Sequence, residues 1–140
     1  MEQKHSNYFE GILQLRNPNK EVINYINNKA NDQISKIKDV KGGIDFYFIS
    51  QKVLKAFGPK LQRRFGGEVI TSAKIHTRDR MSGKELYRVN LLFRIPFFKV
   101  GDIIEIKGNL YKVSQIGKNV SAKDLDTGKK STFRYRDLPK

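Results

Sequence analysis

The periodicity of apolar residues changes once along this chain, and the change falls within "RIPFFKVGDIIEIKG", residues 94–108. Before Pro96, runs that alternate with a period of two are interleaved with runs at helical spacing. After Val100 only short alternating runs separated by glycines remain, with no helical period. A chain patterned in this way is expected to be an α+β protein whose second part is all-β.

In the first part, Phe9, Gly11, Leu13 and Leu15 alternate with Glu10, Gln14 and Arg16, which predicts a strand with one buried face. Asn17 is the expected N-cap of a helix with Pro18 at its first position, where a missing N–H costs nothing. Val22, Ile23, Ile26, Ala30, Ile34 and Ile37 follow at helical spacing and predict an amphipathic helix that closes before Gly42-Gly43. "IDFYFIS" is the second strand. Ser50 caps a second helix carrying Val53, Leu54, Phe57, Leu61 and Phe65, which Gly58-Pro59 is expected to kink or split and Gly66-Gly67 to end. "EVITSAKIHTR" and "LYRVNLLFRIP" are two further strands joined at "RDRMSGKE".

The expected first domain, residues 7–97, is therefore a βαβαββ α/β sandwich. The second, residues 98–140, has strands near 102–107, 110–117, 120–125 and 130–135, with turns at Gly108-Asn109 and Thr127-Gly128, the pattern of a small all-β SH3-like barrel. At about forty residues such a module is too small to hold a core unaided, so it is expected to pack on the first domain or to need further sequence.

Charge points to the partner. The formal net charge is +14, distributed as +1, +9 and +4 over residues 1–50, 51–100 and 101–140. So basic a protein is drawn to polyanions, because phosphates neutralised by Lys and Arg release their counterions. Alternation on the last two strands of the first domain puts Lys74, His76, Arg78, Arg88, Asn90 and Arg94 on one face. Like charges opposed across strands are mildly destabilising, so an anionic partner accounts for such a face better than stability does; the alternative is a solvated outer face. Lys52, Lys55, Lys60, Arg63 and Arg64 on the second helix are expected to extend the patch.

Other chemistry has little support. With no cysteine and two histidines, His5 and His76, neither thiolate catalysis nor a metal site is expected. The carboxylates Asp45, Asp79, Glu85 and Asp102 are dispersed, and no catalytic constellation can be named. "GKKST" (Gly128 to Thr132) departs from a phosphate loop, since Lys123 stands where its first glycine belongs and Lys130 at its Ser/Thr position; a hairpin turn is the better reading. Gly42-Gly43 and Gly66-Gly67 are read as helix ends rather than phosphate cradles. Tyr111, Phe133 and Tyr135 are read either as a stacking surface or as core. The N-terminus has no apolar signal core and no run is long enough to span a bilayer, so a soluble, cytoplasmic protein is expected.

"YFEGILQLR" (Tyr8 to Arg16), "GGIDFYF" (Gly42 to Phe48), "SGKELYRVNLLFRIPFFKVGDII" (Ser82 to Ile104) and "DLDTGK" (Asp124 to Lys129), in this order, resemble the middle of the nonsense-mediated mRNA decay protein three family, the large-subunit nuclear-export adaptor and its archaeal counterparts. The resemblance implies an α/β domain similar to a eukaryote-type large-subunit ribosomal protein, then a β domain resembling the hypusine-bearing translation factor. It further implies binding at the intersubunit face of the large ribosomal subunit, across the tRNA sites. The zinc modules with which family members begin cannot exist in a chain without cysteine, and the export tail of eukaryotic members has no counterpart before Lys140. An excised piece or a reduced relative is expected, and the missing tail suits an archaeal protein.

The resulting expectation is a non-enzymatic, RNA-binding ribosome biogenesis factor without cofactor or metal, monomeric off the ribosome, whose partners are rRNA and ribosomal proteins of the large subunit. Neither a membrane nor a small-molecule substrate is expected among its partners. The residues expected to contact RNA are Lys60, Arg63, Arg64, Lys74, Arg78, Arg80, Arg88 and Arg94, with Lys129, Lys130 and Arg134 on the barrel. Arg88→Gln with Arg94→Gln is expected to weaken binding without harming the fold, with Lys29 and Lys36 as control positions away from the patch. The alternatives are a module whose barrel docks a ribosomal protein or translation factor, and a small hydrolase acting on RNA.

Overall fold

The computed structural model of the protein describes residues 8–78 and 85–139. Its first part runs β1 (Gly11–Arg16), α1 (Lys20–Ala30), a 3-10 turn (Asn31–Gln33), β2 (Ile34–Val40), β3 (Gly43–Phe48), α2 (Gln51–Phe65), β4 (Glu68–Arg78) and β5 (Glu85–Arg94). The strands form one sheet in the order β2-β3-β1-β5-β4, in which β1 and β5 are parallel and the other neighbours antiparallel. Both helices cover one face. Val22 and Ile26 of α1 and Leu54, Phe57 and Leu61 of α2 share a buried cluster with Leu13, Leu15, Phe46, Phe48, Leu91 and Phe93 of the strands. Each such fully buried side chain stabilises the fold by roughly 1.5–3 kcal/mol.

The order is thus βαββαββ, one strand more than the expected βαβαββ. Ile34 and Ile37, which continue the helical spacing of α1, belong instead to β2. The spacing is a coincidence of a bulged strand, for the pairing with β3 shifts register between Ile34 and Lys36, and Ile34 is buried whereas Ile37 is 51% exposed. Gly42, with φ 79°, therefore turns a hairpin rather than ending a helix. The cap of α1 is also displaced. Asn19, not Asn17, accepts the Val22 N–H at 2.9 Å. Asn17 is held at φ 55° with its Nδ2 donating to the Ile95 carbonyl at 3.0 Å.

In α2, Ser50 caps as expected, its Oγ accepting the Val53 N–H at 3.3 Å, and Gly66 at φ 71° ends the helix. Gly58-Pro59 does not split it. Pro59 is exposed, as is Lys55, whose carbonyl loses the Pro59 donor on the solvent side of the helix. Gly58 is buried because a Cβ there would lie 2.6 Å from Leu91 Cδ1, so the helix rests directly on β5.

The second part is a four-stranded antiparallel meander of β6 (Ile103–Ile106), β7 (Asn109–Ile116), β8 (Val120–Asp124) and β9 (Lys130–Phe133), with β6 and β9 at its edges. Its apolar cluster, built on Phe98, Ile104, Ile106, Val113, Val120 and Leu138, is separate from the first. The β6–β7 turn is Lys107-Gly108 rather than Gly108-Asn109, both at positive φ, as a two-residue I′ turn requires. Thr127-Gly128 does lie in the β8–β9 turn, where Asp124 Oδ1 accepts the N–H groups of Asp126 and Thr127. "GKKST" is accordingly hairpin.

The two sheets meet at Tyr135. Its hydroxyl donates to the Gly117 carbonyl and is hydrogen-bonded by the Gly67 backbone, while burial pushes the phenol up to about 12. Ile116 packs so closely on Gly66 that a Cβ there would lie 2.6 Å from its Cγ2. Among the described residues no helix is long and apolar enough to cross a membrane.

Candidate nucleic-acid interface

Because both helices lie on one side of the first sheet, the other side is left to the alternate residues of its strands. The register sets them in rows. Lys36, Tyr47, Ile12, Asn90 and Ser72 follow one another from β2 to β4, and Lys38, Asp45, Gln14, Leu92 and Ile70 form the next row. Arg16, Arg94 and Glu68 close one end, and Lys74 stands opposite Arg88 at the other.

Among the described residues, six cations thus share this face with two carboxylates, and each carboxylate has its own arginine. Arg16 Nη1 is 2.9 Å from Asp45 Oδ1, and Arg94 Nη1 is 2.8 Å from Glu68 Oε1. Lys36, Lys38, Lys74 and Arg88 have no carboxylate partner among the described residues. Two of them lie on rings. Lys36 Nζ is 4.5 Å from the centre of Tyr47, Arg88 Cζ is 3.9 Å from the centre of Phe9, and the two rings meet edge to face at 4.8 Å.

Phe9 reaches this face because the alternation does not extend before Gly11. Glu10 turns toward the helices, where its Oε1 accepts the Gln51 N–H of α2 at 2.9 Å and its Oε2 accepts from Tyr8 at 2.6 Å. That bond, by favouring the protonated phenol, raises the Tyr8 pKa. The carboxylate also stands at the N-terminus of α2, where negative charge is favoured. The expected pattern, with Phe9 inward and Glu10 outward, is therefore reversed at its first two residues.

The residues expected to contact RNA do not form one patch. Lys74, Arg88 and Arg94 share the open face, though Arg94 is committed to Glu68. Lys60, Arg63 and Arg64 lie on α2, which covers the opposite face, so they do not extend the patch. Arg63 and Arg64 fall in the last turn, where cations suit the helix dipole, and Arg64 sits 4.9 Å from the Tyr25 ring. Register shifts between Ile75 and Thr77, so that Arg78 stands opposite Glu85; the side chains of Arg78 and His76, and Arg80 altogether, lie outside the described residues. Lys129 and Lys130 are exposed on the second sheet, and Arg134 is bonded to Asp137 at 3.2 Å. Tyr111, Phe133 and Tyr135 pack against the second core, with Tyr111 and Phe133 edge to face at 5.1 Å.

Phe9, Tyr47, Lys36 and Lys38 are the members of the face that sequence reasoning missed. The signal was present for three of them: Phe46 and Phe48 alternate with Tyr47, and Lys36 alternates with Lys38 once that segment is read as a strand. Lys36, taken as a control away from the patch, belongs to it. Chemically, the face offers fixed positive charge and ring surface in a plane, which suits phosphates and bases. Among the described residues no group of His, Asp and Glu is arranged to hold a metal ion.

A family model described as "NMD3, second domain" matches residues 8–95. No curated protein matches the chain.

Proposed function

The chain belongs to the NMD3 family, and from that premise, which makes it a ribosome-related factor, we propose that it is a non-enzymatic RNA-binding protein of ribosome biogenesis acting on the large subunit. Residues 7–97 supply the RNA-binding surface and residues 98–140 form the second domain, an SH3-like module resembling the hypusine-bearing translation factor. The intersubunit face, across the tRNA sites, is its place on the subunit. One observation carries the reading: among the described residues, the helix-free face of the first sheet keeps Lys36, Lys38, Lys74 and Arg88 without carboxylate partners, although the same face neutralises Asp45 and Glu68 one by one. A face that served only solubility would gain from interspersed charges of both signs.

Filter binding to large-subunit RNA over a range of salt tests this. Lys74→Gln with Arg88→Gln is expected to weaken binding and to lower the salt slope by roughly 0.7–0.9 for each phosphate no longer neutralised. Lys20→Gln with Lys29→Gln, on the helix side, is expected to change neither. Unchanged affinity and slope in the first variant would sink the assignment of the face.

A second reading has an observation of its own. Val100, Ile103, Leu110 and Leu125, in or beside the strands of the second sheet, are 60%, 58%, 49% and 46% exposed, apolar side chains suited to docking a ribosomal protein or translation factor. Such docking would respond much less to salt.

A further inference from the structure

We propose that the open sheet face binds single-stranded RNA by stacking an unpaired base on the guanidinium of Arg88, which Phe9 holds from beneath; the proposal rests on the RNA-binding reading and specifies its ligand. Four observations converge. Arg88 Cζ lies 3.9 Å from the centre of the Phe9 ring, so one side of the guanidinium is backed by an aromatic ring. The residue is partly exposed on the face that no helix covers. Lys74, exposed, stands directly opposite on β4, where a phosphate flanking the stacked base would meet it. Asn90, next along β5 on the same face and also partly exposed, offers an amide to the base edge.

Backing by Phe9 restrains a side chain that otherwise loses much rotamer freedom on binding. An arginine plane takes any base, because every base has a π face. The Lys36–Tyr47 pair continues the surface across the sheet, a width of about 19 Å from β2 to β4 at the usual strand spacing. Duplex RNA does not fit this chemistry. Its bases are stacked on one another, and its deep, narrow major groove is closed to side chains.

The test is fluorescence anisotropy with a short single-stranded oligoribonucleotide, the same strand made abasic at its central positions, and a hairpin duplex of equal charge. Wild-type protein is expected to bind the intact strand about tenfold more tightly than the abasic one. Arg88→Lys, which keeps the charge and removes the plane, is expected to abolish that preference while leaving the salt slope unchanged, and Phe9→Leu to reduce it. Equal affinity of the wild type for intact and abasic strands, with a steep salt slope, would overturn the stacking proposal and leave the RNA-binding reading standing. Failure to bind any of the three RNAs at low salt would overturn both.

Discussion

Arg88 and Arg94 lie on the same strand and the same face, and they differ in what their guanidinium groups meet. Arg88 lies over a phenyl ring. Arg94 is 2.8 Å from Glu68, with side chains 33% and 10% exposed respectively, at the seam where the second sheet docks. Arg94→Gln removes a charge-assisted bond from a largely buried carboxylate and is expected to lower stability by about 1–2 kcal/mol. Arg88→Gln, on the open face, is expected to stay within about 0.5 kcal/mol. Urea unfolding midpoints decide the matter, and equal midpoints for the two variants would contradict it. This revises the expectation that both positions are neutral for the fold. Alternation along β5 shows that the two arginines share a face, but nothing local to either one names its partner.

Elements were legible where their signals are short-range, and misread where two signals competed. Ser50 and Gly66 bound α2 because a cap and a left-handed terminator act within one turn. For α1, Asn17 and Asn19 compete for the same role, and Asn17 is drawn off by the carbonyl of Ile95, just past the end of β5. Asn19→Ala is therefore expected to cost about 1 kcal/mol, and Asn19→Ser, which keeps an acceptor for the Val22 N–H, to stay within a few tenths. Thermal or urea unfolding checks this; a stability loss in the serine variant equal to that in alanine would remove Asn19 as the cap. β2 was absorbed into α1 because Ile34 and Ile37 satisfy helical spacing, while the signal that ends the helix, a 3-10 turn at Asn31–Gln33, carries neither Gly nor Pro. What makes β2 a strand is its partner: β3, next across the Gly42 turn, pairs with it along most of its length.

At the scale of the whole molecule, Tyr135 ties the second sheet to the first through Gly117 and Gly67. Its phenol ionises near 10.0 when unfolded and is pushed up to about 12 in the folded protein, by burial first. Folding thus favours the protonated phenol, so its contribution is fully present below pH 10 and disappears as pH rises from 10 toward 12. Tyr135→Phe is expected to be less stable at neutral pH by about 1 kcal/mol, and to lose less further stability across that alkaline window than the wild type does. Parallel alkaline falls in the two proteins would show that the phenol is not the group responsible. Taken alone, the sequence determined the change of architecture after Pro96, the inward sets Leu13/Leu15 and Val89/Leu91/Phe93, the four strands of the second sheet, the basic character of the protein and its family. Periodicity carries that much because burial of alternate or every third or fourth residue is a local consequence of strand or helix geometry. Only the tertiary structure decided that α2 lies opposite the cationic face, that Arg16 and Arg94 are neutralised by residues 29 and 26 positions away, and that Phe9 lies under Arg88. Those pairings join segments remote in sequence, and a period that says which side of a strand is buried does not say which strand lies beside it.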